Sequence, residues 1–177
     1  MTPNGVDPAF APGGEHGGYV LFVGAVHSRK NPLAALDAAH AVGLPLVVAG
    51  PEKDRELAAE LRRGGAELRG YVSKEQLAEL YRGAAALVLP SRFEGFGLPV
   101  LEAMASGTPV VAAAEPALRE VANGAAVFAE DGDFAAAARR ALAERDRLSA
   151  AGLERAKLFS WEETARRTAA VYREVLR

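Results

Sequence analysis

Short apolar runs recur along the chain and are separated by stretches with helical periodicity. Most of the runs are continuously apolar, and several end at a glycine or a proline, as is typical of strands buried on both faces of a sheet. The predicted strands span residues 19–24, 45–50, 66–72, 85–90, 108–113 and 125–129. Between them the pattern predicts helices over about 31–41, 52–63, 73–82 and 98–105, with one more short helix before the last strand.

Capping residues mark the start of two of these helices. Asn31 and Pro32 form a good N-cap and first-turn pair, and Ser73 with Gln76 forms a capping box. Because these residues satisfy the free N–H groups of a first helical turn, they support the helix boundaries that the periodicity predicts.

Three helical stretches close the chain. The last of them, over about 160–176, begins at a second capping box formed by Ser160 and Glu163. Its apolar positions recur at helical spacing and predict a packing face against the rest of the domain. These positions are Trp161, Ala165, Ala169 and Tyr172.

Strands that alternate with helices of roughly 8 to 15 residues indicate a parallel sheet covered on both faces. We therefore predict a single Rossmann-like α/β domain over residues 19–177, with about six strands. A chain of 177 residues, half of them hydrophobic, has enough apolar mass for one core. Residues 1–18 are rich in glycine and proline and predict a linker without a packed element.

The charge balance and composition exclude several classes of function. A formal net charge of −2 and the absence of a long basic run argue against nucleic-acid binding. The sequence has no cysteine, no apolar stretch that approaches a membrane span, and no secretory signal, which together fit a cytoplasmic protein. The three histidines, His16, His27 and His40, have no partners at metal-ligand spacing, so no bound metal is expected.

The segment 90–111 carries the strongest candidate chemistry, because a glycine turn lies there between a buried strand and a helix. Glu94 precedes the turn, and Gly95 and Gly97 allow its backbone to approach a ligand closely. The N–H groups of Phe96, Gly97 and Leu98 would then meet phosphate or sugar oxygens at a helix start. Glu102 shares the helix face of Leu98, which aims its carboxylate back toward the turn, where it can accept hydrogen bonds from vicinal hydroxyls.

A second candidate group follows the first predicted strand. Arg29 and Lys30 lie in the loop just before the Asn31 cap, at the carboxyl end of that strand. Two cations at such a position can neutralise a diphosphate, which would stabilise it as a leaving group.

Taken singly, each of these features is also typical of ordinary structure. Glu102 alone would be an exposed helical glutamate, the glycine pair alone a common strand-to-helix turn, and Arg29 with Lys30 solvated surface charges. The order of the motifs along the chain is what distinguishes the functional interpretation.

That order resembles the C-terminal half of the retaining glycosyltransferases with the GT-B fold that form family 4, the glycosyl transferases group 1. VGAVHSRKN is similar to the family's VGxLxxRKN loop, LVVAGP to its second strand, and EGFGLPVLE to its E-x7-E motif. LRGYVSKEQLAELYRGAAALVLPS is similar to the family's base-binding segment, and LERAKLFSWEETARRTAAVYREVL to its closing helices. The resemblance covers nearly the whole chain.

The resemblance implies a role for each candidate residue. Arg29 and Lys30 would hold the diphosphate of a nucleotide-sugar donor after the strand-ending Gly24, and Glu102 would bind the ribose hydroxyls. Glu94, with the backbone of residues 95–98, would face the transferred sugar. The backbone near Val72 would border the base.

The family also sets expectations about the donor and the rest of the enzyme. The RKN-type loop favours a GDP- or UDP-linked hexose, and members of this kind need no divalent metal. PNGVD at residues 3–7 resembles the hinge between the two halves of these enzymes, so residues 1–18 would be a hinge remnant. The acceptor would bind to an N-terminal domain that is missing here, and without that domain the chain is expected to be inactive. In the full-length enzyme, peripheral contact with a membrane is compatible with these expectations.

One departure from the family's pattern and three alternative functions stay open. Many members have an arginine directly after the strand-ending glycine, where this chain has Ala25, so phosphate binding would depend more on Arg29 and Lys30. A stand-alone nucleotide or sugar binding module, or a fragment of a GT-B-fold sugar-nucleotide epimerase, would share the architecture. A glycosidase that uses Glu94 and Glu102 is a weaker alternative, because sequence does not determine the separation of their carboxyl groups.

Overall fold

The computed structural model describes residues 2–14 and 17–176. Six strands alternate with helices, as the apolar pattern predicts. The strands are β1 (Tyr19–Val23), β2 (Leu46–Ala49), β3 (Glu67–Gly70), β4 (Ala84–Leu89), β5 (Val110–Ala113) and β6 (Val127–Ala129). The helices are α1 (Pro32–Ala41), α2 (Arg55–Arg63), α3 (Lys74–Gly83), α4 (Leu98–Ala105), α5 (Pro116–Ala122), α6 (Phe134–Ala143), α7 (Arg145–Ala156) and α8 (Trp161–Val175). Single 3₁₀ turns cover Ser28–Lys30 and Glu130–Gly132.

The strands form one parallel sheet in the order β3-β2-β1-β4-β5-β6. This is the Rossmann strand order, and it confirms the predicted single α/β domain with about six parallel strands. β1 and β4 lie side by side at the centre, where the chain switches from building one half of the sheet to building the other. Their carboxyl ends are therefore the expected place for a ligand.

Helices cover both faces of the sheet. One face packs against α3, α4 and α5, with α7 on the outside of α4, and the opposite face packs against α1, α2 and α6. Side chains of β4 alternate between the two cores: Leu87 and Leu89 point to the first, and Val88 to the second. Because both faces are buried, the strands other than β3 are continuously apolar, as their sequence predicts, whereas the edge strand β3 carries the exposed Glu67 and Arg69. Across the described residues, no helix combines the length and apolar character needed to span a bilayer.

Of two predicted helix starts, that of α3 is confirmed and that of α2 is wrong. At α3 the Ser73 hydroxyl accepts from the Gln76 N–H and the Gln76 side chain accepts from the Ser73 N–H, which confirms the capping box. The predicted start of α2 near Glu52 is wrong. Glu52 forms a parallel bridge with Val26, and the Asp54 carboxylate caps the helix by accepting from the Leu57 N–H.

The amino-terminal segment has neither helix nor strand in residues 2–14, as predicted, but it is packed against the domain rather than loose. The Val6 N–H donates to the Phe159 carbonyl at 3.1 Å, and the Thr164 hydroxyl donates to the Pro3 carbonyl at 2.7 Å. Phe10 is buried in the core. The prediction missed this packing because it rested on the glycine and proline content, which does not indicate the long-range contact between Phe10 and Tyr81. Its role as a hinge stays a prediction.

The predicted packing face of α8 is wrong, since no residue of this helix is buried within its described range. Trp161 is 50% and Tyr172 66% exposed. Both faces of the sheet are covered by earlier helices, and α8 contributes no residue to either core. Only half of its capping box forms: the Glu163 N–H donates to Ser160, but Arg166 and Arg167 hold the Glu163 carboxylate and lower its pKa to about 2.

Gly5 tests whether the amino-terminal segment contributes to stability. A Cβ on Gly5 would lie 2.2 Å from the Trp161 backbone nitrogen, so Gly5→Ala must push the segment away from the start of α8. We expect a loss of about 1–3 kcal/mol in the free energy of unfolding, as for other overpacked sites, measured by urea denaturation.

Gly18→Ala is the matched control, because a Cβ on Gly18 meets no atom within 4 Å. It should leave the free energy of unfolding within about 0.5 kcal/mol of the wild type. Equal stability of the two variants would mean that the segment is a loose linker.

Candidate functional site

The candidate site lies at the carboxyl ends of β1 and β4. The loop after β1 carries Arg29 and Lys30 in its 3₁₀ turn, and the loop after β4 carries Glu94 and the glycine turn that leads into α4. Since the two strands are neighbours in the sheet, their loops meet although they are 64 positions apart in sequence. The structure therefore brings the two predicted groups together.

Three polar contacts join these loops. The Arg29 guanidinium donates to the Phe93 carbonyl at 3.0 Å, and the Arg92 backbone N–H donates to the Arg29 carbonyl at 3.1 Å. Lys30 Nζ lies 2.5 Å from Glu94 Oε1. The loops thus hold each other in place through both main chain and side chains.

The ion pair between Lys30 and Glu94 was not foreseen. Their side chains are only 17% and 11% exposed, so the pair is largely removed from water and compensates its own charge. Sequence reasoning assigned the two residues separate tasks, the diphosphate for Lys30 and the sugar for Glu94. In this state a diphosphate would have to compete with Glu94 for the Lys30 ammonium group.

Glu102 lies on α4 and forms a hydrogen bond with Tyr81 of α3. The Tyr81 hydroxyl donates to Glu102 Oε2 at 2.8 Å, and Tyr81 is fully buried. Burial raises the pKa of Glu102 above its ordinary value, and the hydrogen bond from Tyr81 offsets part of this rise. Burial and the neighbouring Glu102 carboxylate also raise the pKa of Tyr81. Sequence analysis missed Tyr81 because a tyrosine on a helix face is typical of core packing.

The glycine turn adopts the conformation that its sequence predicts. Gly97 has φ +98°, and a Cβ there would lie 2.7 Å from the Leu118 side chain, so both backbone angle and space require glycine. Among described residues, the N–H groups of Phe96, Gly97 and Leu98 have no protein acceptor. The Phe96 ring itself packs edge-on against Phe159, with ring centroids 6.2 Å apart. The backbone of the turn, rather than this ring, is therefore available to a ligand.

The remaining predicted donor residues lie at the same edge of the sheet. Gly24 follows β1, and its N–H donates to the Ala49 carbonyl of β2 at 2.9 Å. Val72 is partly exposed just beyond β3. Beside it Tyr71 is 89% exposed, an aromatic side chain that sequence analysis did not single out.

Histidines do not build a metal site in residues 2–14 and 17–176, where no group of three or more metal-ligating side chains occurs. His27 Nδ1 accepts from the Arg29 N–H at 3.2 Å, which stabilises the turn locally. The His40 ring contacts the Gly64 carbonyl at 2.9 Å. His16 lies outside the described residues.

A cavity of about 670 Å³ borders the glycine turn on the side of α5 and the segment between α7 and α8. Gly95 and Phe96 line one wall, and Phe159 with Leu158 lines another. Neither Lys30 nor Glu102 faces this cavity. Of the predicted donor residues, Gly95 and Phe96 line this cavity.

Comparisons with known proteins agree with the fold and the motif order. A family model described as "Glycosyl transferases group 1" matches residues 17–144. O-antigen chain mannosyltransferase B of Escherichia coli is 36% identical over 88% of this chain and 46% of its own length. D-inositol 3-phosphate glycosyltransferase of Geodermatophilus obscurus is 38% identical over 97% of this chain and 46% of its own length.

A solved structure adds support for the architecture. The crystal structure of AviGT4, a glycosyltransferase involved in avilamycin A biosynthesis, superposes with a TM-score of 0.79 at 31% identity, over 99% of this chain and 57% of AviGT4. The chain spans about half the length of the relatives that it matches. With the family model, the relatives and the fold in agreement, the chain belongs to the group 1 glycosyltransferases.

Proposed function

We propose that the chain is the donor-binding domain of a retaining glycosyltransferase that transfers a hexosyl group from a GDP- or UDP-sugar. The single observation that carries this proposal is the meeting of the Arg29–Lys30 loop with Glu94 and the glycine turn. The activities that name the relatives, a mannosyltransferase and an inositol-phosphate glycosyltransferase, support hexosyl transfer.

In the proposed reaction, Arg29 and Lys30 neutralise the diphosphate of the donor. The bond between the sugar's anomeric carbon and the phosphate oxygen breaks, and the diphosphate leaves with the electron pair. An acceptor hydroxyl forms the new bond to the anomeric carbon and passes its proton to the departing diphosphate oxygen. Cations placed at the leaving oxygens lower the barrier because negative charge grows there in the transition state. These cations make a divalent metal unnecessary in the proposed mechanism.

Binding of the donor would rearrange the Lys30–Glu94 pair. When the diphosphate takes over the Lys30 ammonium group, the Glu94 carboxylate becomes free to face the transferred sugar. A carboxylate in that position can accept from a sugar hydroxyl and stabilise positive charge at the anomeric carbon. The ion pair would thus keep both groups in place until the donor arrives.

We further propose that a second domain supplies the acceptor site. The relatives are about twice as long as this chain, and Arg29, Gly95 and Leu98 are exposed at a surface that a second domain could cover. The isolated chain would then bind the nucleotide part of the donor without transferring its sugar.

Lys30 tests the diphosphate assignment. We expect Lys30→Ala to weaken binding of the preferred nucleoside diphosphate, GDP or UDP, about tenfold by isothermal titration calorimetry, because one charge-assisted hydrogen bond to phosphate is lost. Lys157→Ala is the matched control: Lys157 also forms a 2.5 Å ion pair, with Glu154, but on the exposed surface of α7 and its C-cap. Equal affinities of the two variants would exclude Lys30 from the diphosphate site.

Glu94 tests the competition for Lys30. Glu94→Gln removes the carboxylate that neutralises Lys30 and that would repel a diphosphate. We expect its affinity for the nucleoside diphosphate to rise roughly fivefold, a gain of about 1 kcal/mol as for a modest ion pair, in the same calorimetric titration. A reduced affinity would show that Glu94 supports the diphosphate directly.

A substitution of Glu102 tests whether its partly buried carboxylate lowers the free energy of unfolding. Because the folded protein raises its pKa, the folded state binds this proton more tightly than the unfolded chain, and stability falls as the pH rises from about 4.3 through the folded pKa. Glu102→Gln removes this term and can still accept from Tyr81. Urea denaturation at pH 4, 5, 6 and 7 should therefore show the variant gaining free energy of unfolding relative to wild type as the pH rises. A difference that does not change with pH would contradict the raised pKa.

A further inference from the structure

Tyr81 is a fully buried residue whose hydroxyl binds Glu102. Its side chain has no solvent exposure, and the hydroxyl donates to Glu102 Oε2 at 2.8 Å. Within the described residues, Glu102 Oε1 has no protein donor. The carboxylate is therefore held by one oxygen and open at the other.

The surroundings of Tyr81 leave its ring little freedom. Phe10 packs edge-on against it with ring centroids 5.7 Å apart, and its carbonyl accepts from the Thr108 hydroxyl at 2.6 Å. These contacts come from the amino-terminal segment and from the loop before β5, whereas Tyr81 itself belongs to α3. Phe10 therefore restrains the ring of Tyr81, whereas Thr108 binds only its backbone carbonyl.

A purely structural role does not require this pair. An apolar couple such as phenylalanine and leucine would fill the same space between α3 and α4 without burying a carboxylate, and the desolvation of a carboxylate costs stability. The burial of Glu102 next to a donor that satisfies only one of its oxygens fits a group prepared for a ligand.

We infer that Tyr81 is a positioning residue: its bond to Oε2 fixes the Glu102 carboxylate so that Oε1, whose lone pairs are both free of donors among the described residues, is the preferred acceptor for one of the two vicinal ribose hydroxyls. This inference rests on the proposed function, in which Glu102 binds the ribose of the donor. An unrestrained carboxylate could accept one hydroxyl on each oxygen and would discriminate little between them. When Tyr81 holds the carboxylate, removal of one ribose hydroxyl lowers the affinity for the nucleotide far more than removal of the other.

The experiment measures this discrimination by calorimetry. GDP or UDP, whichever binds the wild type more tightly, is compared with its 2′-deoxy and 3′-deoxy forms. In the wild type we expect one deoxy form to bind about tenfold more weakly than the parent and the other to stay within about twofold, because only one hydroxyl bonds to the charged oxygen. In Tyr81→Phe the ratio between the two deoxy forms should fall below about threefold.

Thr108→Val is the matched control. It removes the hydrogen bond to the Tyr81 carbonyl and lowers stability, but it leaves the Tyr81 hydroxyl on Glu102. Its ratio between the two deoxy forms should equal that of the wild type even though its melting temperature falls. A purely structural role of Tyr81 would instead move the ratio with the melting temperature in both variants.

A second variant tests the inference independently in case Tyr81→Phe does not fold. Glu102→Asp retracts the carboxylate by one methylene group while Tyr81 stays in place, and it should likewise lose the discrimination. An unchanged ratio in either Tyr81→Phe or Glu102→Asp overturns the inference and leaves the proposed function standing. A wild type that binds neither nucleotide overturns the proposed function itself, and the inference with it.

Discussion

The pairing of β1 with β4 at the centre of the sheet is the constraint on which the candidate site depends. A parallel sheet buried on both faces can present polar loops only at its edges, and the carboxyl ends of neighbouring parallel strands lie at the same edge. The loop that carries Arg29 and Lys30 and the loop that carries Glu94 therefore meet. Without this pairing the two groups of charges would lie on unrelated parts of the surface.

Other groups of the protein neutralise or hydrogen-bond the charged side chains Lys30, Glu94 and Glu102 at this edge. Lys30 and Glu94 neutralise each other, and Tyr81 holds one oxygen of Glu102. Such partners lower the cost of keeping charged groups partly buried, and they hold the groups in a fixed geometry before a ligand arrives. They also mean that ligand binding exchanges contacts rather than simply adding them, so affinity depends on what each group gives up.

The local predictions succeeded where one element determines its own structure. Each predicted strand overlaps an observed strand, and α4 has the predicted bounds because the Gly97 turn and the apolar pattern agree. Predictions failed where a distant partner decides. The start of α2 moved because Glu52 bridges to Val26, and the amino-terminal segment packs because Phe10 reaches Tyr81. α8 has a helical apolar pattern, but both faces of the sheet are covered by other helices and none of its described residues is buried.

By itself, the sequence determined the order of the strands and helices, the glycine turn, the family and the set of candidate residues, because periodicity, capping and motif spacing are properties of neighbouring residues. Only the tertiary structure decided which of those residues touch. Lys30 pairs with Glu94 across 64 positions, and Tyr81 meets Glu102 across 21. Such contacts are set by how the strands are ordered and how α3 packs against α4. No local pattern encodes these distances, since they arise from burying many apolar side chains at once.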